Sequence, residues 1–291
     1  MFSTIVSTTT VAAHLDGSWA IVDCRFDLKH EAWGREQYLS GHIPGAVYAS
    51  LATDLSGHIS GTNGRHPLPS DDDMAATFGR FGIDSGTQVV VYDQDGGMYA
   101  SRLWWMLRYL GHDAVSVLDG GWEKWTREGR PVRSGQESRG AVVFNARARA
   151  NAKVTLEDVA GAVGQRSTIL IDARAPERFE GRSEPLDRAA GHIPGAVNHF
   201  YRSNLSEKGT LLPAATLREK FETLLDSRSP AQAVIYCGSG VTACHNLLAM
   251  AQAGLDDAKL YPGSWSEWSS DPARPVEKGP AGKPTVTTKP C

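Results

Sequence analysis

The sequence predicts an α/β protein built from two tandem domains, each a mainly parallel sheet flanked by helices. Three observations carry that expectation: an internal repeat, short apolar strands alternating with helices, and a length of 291 residues against roughly 150 for one domain. Gly41-His42-Ile43-Pro44-Gly45-Ala46-Val47 recurs letter for letter as Gly191-His192-Ile193-Pro194-Gly195-Ala196-Val197. Each copy follows a strand ending in Asp-x-Arg, first Asp23 to Arg25, then Asp172 to Arg174. Further on, Val89-Val90-Val91-Tyr92 answers Ala233-Val234-Ile235-Tyr236, and the segment Asp119 to Trp125 answers Tyr261 to Trp268. Landmarks in the same order at nearly constant offset point to duplication rather than chance.

In the first copy the stretches 19 to 24, 88 to 92 and 114 to 118 are short and rich in branched residues, as buried strands are. The stretches 168 to 172, 233 to 236 and 258 to 261 take those places in the second. Helices fall between them, among them 101 to 110, ended by Gly111, and 242 to 253, ended by Gly254. Such alternation implies a largely parallel sheet covered on both faces. Ligands of such sheets gather at the carboxyl ends of the strands. The expected boundaries are a first domain over 1–135, a linker over 136–153, a second domain over 154–270 and a polar tail over 271–291. The stretch 133 to 153 has little apolar periodicity and reads as an exposed connector. The tail, rich in Pro, Lys and Gly, is expected to be loosely held.

Composition excludes several classes. With 41% hydrophobic and 22% charged residues, the chain is an ordinary globular one. A net charge of −3 supplies no field toward nucleic acid or an anionic membrane, so neither is expected as a partner. The four cysteines, at 24, 237, 244 and 291, are too sparse for a disulfide framework and form no zinc-type pair, which fits a reducing, cytoplasmic setting. The first twenty residues lack the basic start and apolar core of a signal peptide, and no apolar run approaches the ~18 residues of a membrane span. Neither a phosphate-binding GxxxxGK[ST] nor an HExxH metal motif occurs, so no cofactor and no metal is expected.

The two copies diverge at one decisive place. The first runs Tyr92-Asp93-Gln94-Asp95-Gly96-Gly97, the second Tyr236-Cys237-Gly238-Ser239-Gly240-Val241-Thr242-Ala243. Two glycines between a buried strand and a helix start let successive N–H groups point inward as an anion-binding nest. The helix start adds about half a positive charge. Both effects favour thiolate over thiol at Cys237. Cys24 and Cys244 lack such surroundings and read as packing residues.

Together the tandem copies, the paired GHIPGAV segments, the Asp-Gly-Gly-Trp sequence and the loop Cys-Gly-Ser-Gly-Val-Thr-Ala resemble the two-domain rhodanese family of sulfurtransferases, over roughly residues 3 to 270. Within that family the loop is similar to that of members acting on 3-mercaptopyruvate, whereas members acting on thiosulfate usually carry basic residues after the cysteine. The resemblance implies a rhodanese-like fold in both halves, with a silent first domain, Asp93 at its cysteine position, that helps to close the active site. It implies a ping-pong reaction in which Cys237 takes sulfur from a small-molecule donor and passes the persulfide sulfur to cyanide or to a thiol acceptor such as thioredoxin or a small thiol. Gly238, Ser239, Gly240, Val241 and Thr242 would cradle that sulfur. Arg178 and Arg188 resemble the family's two substrate arginines, but at a spacing one residue longer, which leaves Arg182 as a rival for one place. Asp54, His66 and Ser239 resemble its proton relay.

The loop bears on donor choice in its own right. Thiosulfate carries two negative charges and would gain from a cation beside the nucleophile, which Gly238 and Ser239 do not supply. One carboxylate, as on 3-mercaptopyruvate, suits an arginine fork farther off. Thiosulfate remains the alternative donor. His42 and His192, like the Asp23–Arg25 and Asp172–Arg174 pairs, occur in both copies and are expected to be scaffold. A cysteine phosphatase would need an arginine six residues after the cysteine, where Ala243 stands. A non-enzymatic persulfide carrier would share this sequence.

Overall fold

The computed structural model describes residues 1–280; Cys291 and the rest of the expected tail past 280 lie outside the described residues. The first half forms strands β1 (Ile5–Val6), β2 (Ala20–Asp23), β3 (Ala46–Tyr48), β4 (Val89–Tyr92) and β5 (Val115–Leu118), in a parallel sheet of order β1-β5-β4-β2-β3. The second half forms β6 (Ile169–Asp172), β7 (Val197–Asn198), β8 (Ala233–Tyr236) and β9 (Lys259–Leu260), also parallel, in the order β7-β6-β8-β9. The second order superimposes on β3-β2-β4-β5. The place of β1 is taken by one bridge, Lys153 to Leu260. The helices are α1 (Thr8–Ala12), α2 (Trp33–Ser40), α3 (Asp71–Arg80), α4 (Ala100–Tyr109), α5 (Gly121–Arg127), α6 (Leu156–Ala162), α7 (Pro176–Phe179), α8 (Ala214–Leu225), α9 (Thr242–Gln252) and α10 (Ser264–Trp268). The expected class, two tandem parallel sheets flanked by helices, is what the chain forms.

The central strands show why. Every residue of β4 and β8 is buried, so both faces are covered, and branched or aromatic side chains fill the space on each side. The helices α4 and α9 leave the ends of these two strands and pack on each other across the domain boundary. Leu103, Met106 and Leu107 share one apolar cluster with Ala243, Leu247 and Leu248. That contact brings the loops before the two helices together. Among the described residues, no helix is long and apolar enough to cross a membrane.

The tail expectation needs correction for residues 271–280, which are tied down. Trp268 Nε1 donates to the Pro275 carbonyl at 2.9 Å, His192 and Glu277 exchange backbone bonds of 2.9 and 3.0 Å, and Gly279 N donates to Glu180 O at 2.9 Å. The first domain does the same with Trp125 and Pro131, and with His42 and Arg133. Arg130-Pro131-Val132 thus reappears as Arg274-Pro275-Val276, a stretch of the repeat hidden by its polar surroundings. The connector is anchored too. Val142 N, Arg147 N and Arg149 N donate to Gly79, Leu110 and Tyr109 carbonyls, and buried Phe144 meets Phe78 edge-on.

Candidate active site

Cys237 stands at the carboxyl end of β8, 2% exposed, at the floor of a pocket of about 210 Å³. The loop after it turns its carbonyls outward. Cys237 O and Gly238 O accept from Trp265 N and Ser266 N of α10, both at 2.9 Å, and Gly240 O accepts from Arg102 Nη1 of α4 at 3.0 Å. Among the described residues, the N–H groups of Gly238 to Ala243 have no protein acceptor. Gly240 makes the turn possible, because its φ is +74° and a Cβ there would lie 2.3 Å from Pro262 O.

The first copy explains what such a nest holds. Asp93, fully buried, accepts from Asp95 N and Gly97 N at 2.9 Å, Tyr99 N at 2.6 Å and Ala100 N at 2.8 Å. Its own carboxylate fills the anion site, so that loop is complete without a ligand. In the second copy the position carries a thiol, and the amides remain available to an anion.

The sequence-expected residues divide. Ser239 Oγ lies 2.8 Å from His66 Nδ1, which joins the two domains at the Cys237 loop. Arg178 lines the pocket together with Gly238, Ser239, Val241 and Thr242. Three expectations fail. Asp54 makes no hydrogen bond to His66 among the described residues; its carboxylate accepts from Ser50 N at 2.8 Å and pairs with Arg80, beside a separate hollow of about 780 Å³. That hollow borders no cysteine, so size does not locate the chemistry. Arg188 is exposed and donates to Ser270 O at 3.3 Å, and Arg182 is exposed on Glu180, so neither lines the pocket. His66 is pushed down to about 4 by burial and by the Arg102 and Arg65 cations, and so is a neutral imidazole rather than one poised near pH 7.

Two arginines were missed. Arg102 lies on α4, fully buried, and also donates to Leu55 O at 3.2 Å and His66 O at 3.0 Å, so one side chain ties the Cys237 loop to the His66 segment. An Arg inside an apolar helix was the available signal. Arg65 reaches the pocket from the first domain, and lay beside His66 in a segment already singled out. The scaffold pairs are as expected. Arg174 grips Asp172 through Nε and Nη2, donates to Gly191 O at 2.6 Å and continues to Glu184 at 3.1 Å. Arg25 does the same with Asp23 and Gly41 O.

With this geometry in place, comparison with known proteins is decisive. The model of the rhodanese-like domain matches residues 7–128 and again 155–271. The chain belongs to the rhodanese-like family. A relative in Pseudomonas aeruginosa named "Probable 3-mercaptopyruvate sulfurtransferase" is 42% identical over 261 residues, 89% of this chain and 92% of that one. A Mycobacterium tuberculosis relative named "Putative thiosulfate sulfurtransferase SseB" is 42% identical over 268 residues, 90% and 92% of the two chains. The crystal structure of SseA from Escherichia coli, described as a 3-mercaptopyruvate sulfotransferase, aligns with a TM-score of 0.78 at 33% identity, over 91% of this chain and 100% of that one. This rhodanese-like protein is an enzyme of the sulfurtransferase class.

One acid-sensitive joint lies at the domain boundary of this rhodanese-like pair. Fully buried His245 donates from Nε2 to Gly96 O at 3.1 Å and accepts at Nδ1 from Asn204 at 3.4 Å, and burial pushes it down from 6.5 to about 4. The unfolded chain therefore takes up a proton that the folded one refuses. Its contribution is fully present above pH 6.5 and is lost as pH falls toward 4, at about 1.4 kcal/mol per unit. Urea unfolding at pH 7 and pH 5 should differ by about 2 kcal/mol from this residue alone, and His245→Gln should reduce the total pH dependence by that amount while His66 keeps its own share.

Proposed function

We propose that the enzyme moves sulfane sulfur from 3-mercaptopyruvate to a thiol or cyanide through a persulfide on Cys237. The observation that carries this reading is the set of loop amides, Gly238 to Ala243, left without a protein acceptor around one thiol. Such a nest offers hydrogen-bond donors to a persulfide anion held on Cys237. The Cys237 thiolate attacks the donor sulfur and forms an S–S bond as the C–S bond breaks. The released electron pair goes to carbon as pyruvate enolate, which takes the former thiol proton and leaves as pyruvate. Cyanide then attacks the outer sulfur, the S–S bond breaks, and thiocyanate leaves with the Cys237 thiolate restored; a cellular thiol takes that sulfur in the same way. Ser239 Oγ and His66 Nδ1, 2.8 Å apart, share a hydrogen bond that fixes the loop serine against the first domain at the rim of the same pocket. The cysteine thus divides one transfer into two displacements.

Thiosulfate is the second reading, because Arg65 puts a cation beside Gly238 that the loop sequence does not reveal. Steady-state thiocyanate formation with each donor separates them. The expected result is a kcat/KM for 3-mercaptopyruvate well above that for thiosulfate, and a loss in Arg178→Ala that is larger with 3-mercaptopyruvate. A large advantage for thiosulfate overturns the donor assignment.

A further inference from the structure

We propose that the cleft between the C-terminal halves of α4 and α9, behind the catalytic pocket, binds a small flat aromatic anion, its ring system against Trp105 and Tyr109 and its negative charge toward Lys153 and Lys259. The inference goes beyond the reading above and rests on residues that take no part in it.

The cleft holds about 410 Å³, a volume within the range of small-molecule sites. Its walls come from both domains: Trp105 and Tyr109 from α4, Leu247 and Met250 from α9, and Lys259 from β9. It shares no lining residue with the pocket over Cys237. The length of a helix separates the two. α9 starts at Thr242, and Met250 lies a little over two turns farther on, about 12 Å along the axis. At their other ends the same helices hold the Cys237 loop, α9 by following it and α4 through Arg102 on Gly240 O. An occupant between them touches both domains without entering the catalytic pocket, and so favours their docked arrangement.

The aromatic wall is already flat. Trp105 and Tyr109 stack with ring planes 2° apart and centroids at 5.2 Å, an offset parallel arrangement that a third ring can extend. Leu247, Met250 and Leu255 add apolar lining. The charged groups sort into engaged and free. Arg108 pairs with Asp113 at 3.3 Å and Asp256 at 3.2 Å, and Arg149 with Asp113 at 2.6 Å, so these charges answer one another. Lys153 and Lys259 have no carboxylate partner among the described residues: Lys153 Nζ stands instead 4.6 Å from the Tyr109 ring centroid, and Lys259 lines both this cleft and an adjoining hollow of about 330 Å³ that Lys153 also lines. Backbone bonds fix their places. Leu260 N donates to Ala152 O and Val154 N to Leu260 O, both at 2.9 Å. Of the other carboxylates nearby, Asp158 accepts from Thr155 N at 2.9 Å, and Asp257 is exposed. Two free ammonium groups against one solvated carboxylate favour an anion beside the aromatic wall.

Titration calorimetry of the full chain with 2-naphthoate and its neutral analogue 2-naphthamide tests the site without any sulfur transfer. The acid should bind with a Kd of about 1 mM or tighter, and several-fold tighter than the amide. Lys259→Gln should weaken the acid about threefold, the scale of one solvent-exposed ion pair, and leave the amide unchanged; with Lys153→Gln added, the loss should reach about tenfold. Ala231→Trp, which fills the cleft from an exposed position, should abolish binding of both probes. Arg178→Ala should change neither, because Arg178 lines the other pocket. Absence of binding by the acid overturns the site, and equal affinity for acid and amide overturns the assignment of an anion. A loss in Arg178→Ala that the lysine variants do not share puts the probe over Cys237 and overturns the site as well.

Discussion

Cys237→Ser should abolish thiocyanate formation from 3-mercaptopyruvate and thiosulfate alike, by at least about a thousandfold in kcat, with no loss of thermal stability. Serine keeps the shape of the side chain at the end of β8, but its hydroxyl is not ionised at neutral pH and cannot carry sulfane sulfur. No other described cysteine replaces it. Neither Cys24 nor Cys244 lines the pocket that Cys237 lines. Burial raises the Cys24 thiol well above its ordinary range and pushes Cys244 up to about 12. Residual turnover near the wild-type rate would mean that the nucleophile lies elsewhere.

Arg102→Met should destabilise the protein by about 3 kcal/mol or more. Methionine fills much of the space of the arginine stem but leaves the carbonyls of Gly240, Leu55 and His66 without this donor. Each unsatisfied buried group costs roughly 1–3 kcal/mol. The loss falls where the Cys237 loop and the His66 segment are joined, so activity should fall as well. Because Arg102 does not line the pocket, the loss should be similar for both donors. Urea unfolding and kcat/KM measured on the same preparation check both halves of the prediction. A variant as stable as the wild type would show that Arg102 is not the clamp its contacts describe.

The fold was legible because it is written twice. The GHIPGAV copies reveal two domains, and the branched runs at β4 and β8 reveal parallel sheets, since buried parallel strands require that composition on both faces. Strands β1, β3 and β7 have only two or three residues, too few to show a pattern. At the site, Cys237 and its glycine loop could be singled out for the same local reason: they are consecutive residues between β8 and α9. Arg65 and Arg102 make their contacts across the domain boundary, and consecutive residues do not encode that meeting. Asp54 and Arg188 show the converse. Their residue types suited the assigned roles, but Arg80 and the Ser50 turn engage the first, and the second donates to the Ser270 carbonyl outside the pocket.

Mass analysis of the whole protein and of its peptides, after treatment with one equivalent of 3-mercaptopyruvate and no acceptor, tests the central claim most directly. The account predicts a gain of one sulfur atom, located on the peptide that contains Cys237 and removed by cyanide as thiocyanate forms. Turnover with an unmodified Cys237, or with the added sulfur on Cys24 or Cys244, would contradict it.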